Sequence, residues 1–192
     1  MKRVSLSDLL EEIGEEGAKL ELSDFCSINS DVQDFFRNLA IAFEQKGLST
    51  TTLIYDKRRR LLGGYSLSPY SLRTDNLNEE ERIELFGKEY KDIKTLPAIL
   101  IGQLSKNYYD DNNLLITGEE ILAMIFENIV EIASSINSAI CYVDCEDVPE
   151  LKEFYETNGF QFFKEKKMHG KKYLCYVILT KSIVEIYNSK DE

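Results

Sequence analysis

The chain has one histidine, His169, and only four cysteines, Cys26, Cys141, Cys145 and Cys175, with no Cys-x-x-Cys pair. Cys141 and Cys145 fall four apart on a run that reads as a strand. That spacing separates them by about 13 Å, too far to share one tetrahedral zinc. The cysteines are read as small buried apolar residues, and no metal is expected. His169 precedes Gly170 between two strand-like runs and is read as a turn residue, not a base or ligand. No apolar run is long enough to span a membrane. Lys2 and Arg3 lead into Asp8, Glu11 and Glu12, not into the apolar core of a signal peptide. A cytoplasmic protein with reduced thiols and no membrane partner is expected. Basic residues are scarce too: 23 Lys and Arg against 34 Asp and Glu leave a formal net charge of −11. That deficit argues against broad nucleic-acid affinity, which needs a basic footprint. It suits a cationic substrate, or simply keeps the protein soluble. Internal repeats and low-complexity segments are absent as well.

With 192 residues, 43% of them hydrophobic, the chain can fill one core, and a single domain over residues 1–192 is expected. Val4, Leu6, Leu9, Leu10 and Ile13 recur at helical spacing behind a candidate cap, Ser7, and Gly14 and Gly17 should end that helix. This gives an N-terminal helical extension over 1–17. Lys19 to Leu22 alternates and reads as an edge strand. Ser30 or Asp31 should cap an amphipathic helix that turns Phe35, Phe36, Leu39, Ala40 and Phe43 inward and closes at Gly47. Thr50–Tyr55 and Leu61–Leu67 flank Asp56-Lys57-Arg58-Arg59-Arg60, which reads as a hairpin with a basic tip ended by Pro69. Asn78 followed by three glutamates starts a helical insert over about 76–91.

From Leu96 to Phe163 the pattern becomes strand, polar loop, helix, strand, helix. Pro97 to Leu104 is an apolar run, Asn107 to Asn113 is polar, and a long helix opens near Thr117. Ala139 to Val143 is a second apolar strand, and this βαβ order implies parallel pairing of the two. The helix entrance after the first strand is a natural anion site, where unpaired N–H groups and the helix dipole both favour negative charge. Gln161–Phe163 and Tyr173–Leu179 read as two antiparallel strands around Gly170, followed by a partly polar tail from Ser182 that should fray.

Three stretches carry a family resemblance. Leu96-Pro97-Ala98-Ile99-Leu100-Ile101-Gly102-Gln103-Leu104-Ser105 is similar to the central strand that precedes the acetyl-CoA loop of the GCN5-related N-acetyltransferases. Phe154-Tyr155-Glu156-Thr157-Asn158-Gly159-Phe160 resembles that family's Phe-Tyr-x-x-x-Gly-Phe signature. Upstream, Asp24-Phe25-Cys26, Asp34-Phe35-Phe36, Thr51-Thr52-Leu53-Ile54 and Gly64-Tyr65-Ser66-Leu67 resemble the branch that includes toxin-type acetyltransferases acting on aminoacyl-tRNA. The resemblance covers roughly residues 20–180. It implies an α/β fold with a central twisted mixed sheet of six or seven strands flanked by helices. It also implies acetyl-CoA as cosubstrate, with the pantetheine arm along Leu104, Ser105 and Lys106 and one backbone N–H there polarising the thioester carbonyl. Tyr155 takes the position of the family's general acid.

The chain departs from the family at the pyrophosphate loop. The usual Gln/Arg-x-x-Gly-x-Gly/Ala aligns as Asn113-Leu114-Leu115-Ile116-Thr117-Gly118, which puts Asn113 at the basic position and Ile116 at the first glycine. Ile116 does not reach positive φ cheaply. Thr117 and Glu120 form a capping box that would occupy N–H groups a pyrophosphate could use, and Glu119 adds negative charge. A helix N-terminus remains, and Lys106 could supply charge.

Resemblance and residues together lead to an N-acetyltransferase that moves an acetyl group from acetyl-CoA to a primary amine by direct attack in a ternary complex. The acceptor is a small molecule or a protein amine. Two alternatives stand beside it: a non-catalytic member of the fold that acts through partner contacts, and a toxin-like aminoacyl-tRNA acetyltransferase, the one reading with a nucleic-acid partner. A homodimer is allowed. Asp144 and Glu146, at the end of the second strand of the βαβ unit, are candidate bases beside a water chain, and Glu146 or Asp147 could instead cap the next helix.

Overall fold

The apolar runs around residues 50–55, 61–67, 97–104, 139–143 and 173–179 all form strands. The computed structural model describes residues 1–168 and 170–188. His169, read above as a turn residue, and the end of the tail lie outside the described residues. Strands β1 (Lys2–Ser5), β2 (Thr50–Tyr55), β3 (Leu61–Arg73), β4 (Thr95–Lys106), β5 (Ile140–Glu146), β6 (Gln161–Met168) and β7 (Lys171–Leu179) make a seven-stranded mixed sheet in the order β1-β2-β3-β4-β5-β7-β6. The pairs β1·β2, β2·β3, β5·β7 and β6·β7 are antiparallel. By contact density the chain divides into two compact units. One is Met1–Ser68 with Ile101–Ile125, the other Pro69–Leu100 with Phe126–Glu192.

In the first unit the N-terminus departs from the sequence expectation. β1 precedes helix α1 (Leu6–Ser23), whose cap is Ser5 rather than Ser7: the Ser5 hydroxyl accepts the Asp8 N–H at 3.0 Å. Gly14, at φ 73° and ψ 173°, interrupts the helical backbone as expected, and a second helical stretch resumes after the kink with Gly17 inside it. Lys19 to Leu22, expected as an edge strand, is helical. Ala18 and Leu22, four apart, share the buried face, and that helical spacing outweighs the local alternation. Asn29, not Ser30 or Asp31, caps the next helical run, accepting from Asp31 and Val32 N–H. That run comprises α2 (Ser30–Asp34), a π turn over Phe35–Leu39 and α3 (Ala40–Gln45). With the extra residue in the turn, Phe35 and Phe36 are both buried, while Leu39, expected inward, is 40% exposed. Phe36 stacks on Phe25 with centroids 4.1 Å apart, and Leu6, Leu22 and Leu53 close the same core.

Strand β3 runs past Pro69, which was expected to end the hairpin. The backbone there is extended and Pro69 exposed, so a fixed φ and a missing donor are tolerated. Gly63 brings β3 close to the end of β4. A Cβ at Gly63 would lie 2.7 Å from the Ser105 carbonyl oxygen and 3.2 Å from Lys106 Cα, and neither backbone atom yields as a side chain would. Gly63→Ala is therefore expected to cost about 1–3 kcal/mol in urea unfolding, the usual range for overpacking. An unchanged midpoint would show that the end of β4 can move.

In the second unit, helix α4 (Glu79–Phe86) and a 3₁₀ turn at Lys88–Tyr90 fill the expected insert. The Asn78–Glu81 capping box is formed in both directions. Phe86 packs with Leu72, Leu96, Ile140, Tyr142 and Phe163. Helix α6 (Pro149–Thr157) starts with Pro149 in its first turn behind Val148, which supplies no side-chain cap. Neither Glu146 nor Asp147 caps it; lysines pair with both, Lys171 on Glu146 at 3.1 Å, and Lys152 and Lys172 on Asp147 at 2.8 and 3.0 Å. The described part of the tail, expected to fray, is helical in α7 (Thr180–Asn188), where Ile183 is fully buried. Helix α5 (Gly118–Ala133) links β4 to β5 in chain order.

Candidate active site

The residues expected at the cofactor lie in the first unit. Ser105 is buried, and its hydroxyl lies 2.6 Å from the Lys106 carbonyl and 2.9 Å from the Ser27 hydroxyl. Leu104 is half-buried beside it. The Lys106 ammonium sits 5.8 Å from the Tyr108 ring centroid. The strand end is held by Asn107, a residue that sequence reasoning passed over as ordinary loop. Its backbone N–H donates to the Leu62 carbonyl at 2.7 Å, and its side-chain NH₂ donates to the Leu61 carbonyl at 2.9 Å. Its side-chain oxygen accepts the Cys26 and Tyr109 N–H groups at 2.9 and 3.1 Å. An amide has both donors and an acceptor, which is what a junction of strand, hairpin and loop requires.

The loop continues through a 3₁₀ stretch, Tyr109–Leu115, in which Asp110 and Asp111 hold φ of 50° and 57°. Short polar side chains tolerate that left-handed region better than most. Asn113 is half-buried, and Leu114 and Leu115 are exposed. Ile116 is only 3% exposed and extended, at φ −147°. It stands where the family has glycine without needing positive φ, and it fills space. The capping box at α5 is present as expected: Thr117 N–H donates to the Glu120 carboxylate at 2.8 Å and Glu120 N–H to the Thr117 hydroxyl at 3.1 Å. Gly118 opens the helix, and Glu119 is exposed in its first turn.

Tyr155 lies in the second unit on α6. It is 5% exposed, with its ring against Phe154, Phe160 and Tyr176 at centroid distances of 5.1, 5.3 and 5.9 Å. Burial raises its pKa, and the nearby Cys145 and Cys141 add to the rise. The phenol is thus fully protonated at neutral pH, as a proton donor has to be. Among the described residues its hydroxyl makes no hydrogen bond. The two candidate bases are both engaged. Asp144 accepts from Tyr142 and Lys166, and Glu146 from Lys171. No group of three or more His, Cys, Asp or Glu able to hold a metal occurs among the described residues. Their helices include none long and apolar enough to cross a membrane.

No protein-family model matches the chain, and no curated protein does. Solved structures do. A bacterial toxin matches at 16% identity and TM-score 0.70, over 97% of this chain and 96% of its own. AtaTR bound with acetyl-CoA matches at 15% identity and TM-score 0.64, over 97% of both chains. AtaT complexed with acetyl-methionyl-tRNA matches at 15% and TM-score 0.64, over 86% of this chain and 91% of its own. The chain has the GCN5-related N-acetyltransferase fold of these toxins. The match to the bacterial toxin covers 97% of this chain, more than the span of roughly residues 20–180 in the sequence resemblance.

Proposed function

We propose that the protein is an acetyl-CoA-dependent N-acetyltransferase, working as one domain over residues 1–192 and acetylating a primary amine by direct attack. The observation that carries this reading is the end-to-end likeness of fold to AtaTR, whose structure holds acetyl-CoA. In this reading the pantetheine arm follows Leu104, Ser105 and Lys106, and the pyrophosphate lies on backbone N–H groups between Asn113 and Glu119. The chemistry needs three things: an amine held near the thioester carbonyl, a donor to its oxygen as charge builds there, and a proton for the departing thiolate. A backbone N–H near the end of β4 polarises the carbonyl, and the Tyr155 hydroxyl gives its proton to sulfur. The carbonyl carbon gains a bond to nitrogen, the C–S bond breaks, the amine proton leaves to solvent, and solvent returns a proton to the Tyr155 phenolate.

Glu120 opposes the cofactor in this arrangement, since its carboxylate holds the Thr117 N–H. Glu120→Gln keeps the cap, because an amide oxygen accepts the same bond, and removes the charge. Acetyl-CoA should then bind about 2–5-fold tighter by titration calorimetry, the worth of one charge at a helix terminus. Absence of acetyl-CoA binding to the native chain at millimolar concentration would leave the non-catalytic alternative standing.

One observation favours a narrower acceptor: the fold is shared with AtaT in complex with acetyl-methionyl-tRNA. The hairpin tip bears on it. Arg60 is tied to Asp56 at 2.6 Å and Arg59 faces Glu12 at 3.7 Å, which leaves Lys57 and Arg58 exposed for phosphate. An acceptor screen with acetyl-CoA, setting small primary amines against aminoacyl-tRNA, separates the two.

A further inference from the structure

Four side chains of the second unit converge at the end of β5. The Tyr142 hydroxyl donates to one oxygen of Asp144 at 2.5 Å, and the Lys166 ammonium from β6 donates to the other. Tyr70 stacks on Tyr142 with centroids 4.9 Å apart and ring planes within 11°. Tyr142 is enclosed, but Tyr70 is 39% exposed, and the Asp144 and Lys166 side chains are 20% and 29% exposed. A carboxylate backed by a buried phenol, holding a primary ammonium beside an open aromatic face, is thus built into the fold.

Alternation along β5 sends Tyr142 and Asp144 to one face and Cys141 and Cys145 to the other. Tyr155 stacks on Tyr176, the cross-strand partner of Val143, so it belongs to the face opposite Asp144. In a direct transfer the proton donor serves sulfur and the acceptor nitrogen approaches separately. A second, chemically distinct position for the amine is what such a reaction needs.

Resting on the acetyltransferase reading, we propose that Asp144 is the recognition carboxylate for the acceptor's primary ammonium, with Lys166 as the resident ammonium that the acceptor displaces and Tyr70 as the shelf for the acceptor's apolar body. Three observations support it. Lys166 shows that the position takes a primary ammonium. Its four-carbon stem stands on the outermost strand of the sheet, where it can swing into water at little cost. The net charge of −11 concentrates cationic rather than anionic acceptors near the protein. Exchanging one ammonium for another leaves the carboxylate paired throughout, which avoids an uncompensated, part-buried charge.

The test is calorimetric titration of the full chain with phenethylamine, with 2-phenylethanol as its neutral match. The amine should bind and the alcohol should not. Lys166→Met removes the competitor from a part-exposed position and should tighten phenethylamine by about 3–10-fold, the scale of one surface ion pair. Asp144→Asn should abolish binding. Should that variant not fold, Lys166→Met alone decides. An unchanged phenethylamine Kd in Lys166→Met, or equal binding of amine and alcohol, overturns the proposal and leaves the pair as a brace between β5 and β6. Acetyl-CoA titrated into the same Lys166→Met protein should bind as to the native chain. If it binds neither while phenethylamine behaves as expected, the acetyl-transfer reading fails and the ammonium subsite stands.

Discussion

Tyr155→Phe is expected to lower kcat by about 10²–10⁴-fold, the usual worth of one positioned proton donor. The melting temperature should hardly move. The substitution keeps the ring that packs on Phe154, Phe160 and Tyr176, and the lost hydroxyl makes no hydrogen bond among the described residues. KM for acetyl-CoA should change less than kcat, because proton donation to sulfur matters in the transition state more than in the bound ground state. Three measurements on one variant therefore separate chemistry from packing. Native turnover at native stability would remove Tyr155 from the mechanism and make water the proton source.

Ile116→Gly should act almost entirely on stability. By comparison with the family's loop alone, glycine at this position looks like a repair that would let backbone approach the pyrophosphate. Ile116, however, is 3% exposed and extended at φ −147°, which any residue adopts. Removing its side chain deletes a buried anchor immediately before α5 and gives the unfolded chain more freedom. The expected loss is about 3–5 kcal/mol, combining a core truncation with the entropy of glycine. Urea unfolding measures it, and acetyl-CoA titration of the same variant shows whether any gain in affinity survives. Tighter acetyl-CoA binding with unchanged stability would mean that the side chain obstructs the cofactor and does not hold the loop.

Much of the architecture could be read from local pattern. The β2–β3 hairpin, the insert capped by Asn78 and Glu81, β4, β5 and the pair β6–β7 all announce themselves through apolar runs and caps within a few residues. So does the Thr117–Glu120 box. The N-terminal helix was harder. Gly14 does interrupt the helical backbone, but Gly17 does not, and the burial of Ala18 and Leu22 that carries the second helical stretch depends on distant partners such as Phe36 and Leu53. The π turn at Phe35–Leu39 leaves no mark in propensity. At the candidate site, Tyr155 stood out because its neighbours form a signature. Asn107 did not, because four hydrogen bonds to residues as far away as Cys26 cannot be seen from an Asn-Tyr-Tyr sequence. The meeting of Asp144 with Lys166, 22 positions away, likewise depends on the β5–β7–β6 order.

Strands β1 and β6 are the two ends of the sheet. Unpaired strand edges are templates for extension by another chain, and globular proteins blunt them with short strands and lysines. Here β1 is four residues long, and β6 carries Lys164, Lys166 and Lys167. Two copies joined along β6 would bring its lysines together at a cost in like-charge repulsion. Growth from β1 would gain only a short ladder. A short strand at one edge and lysines at the other thus guard the sheet against fibre-like polymerisation at high concentration.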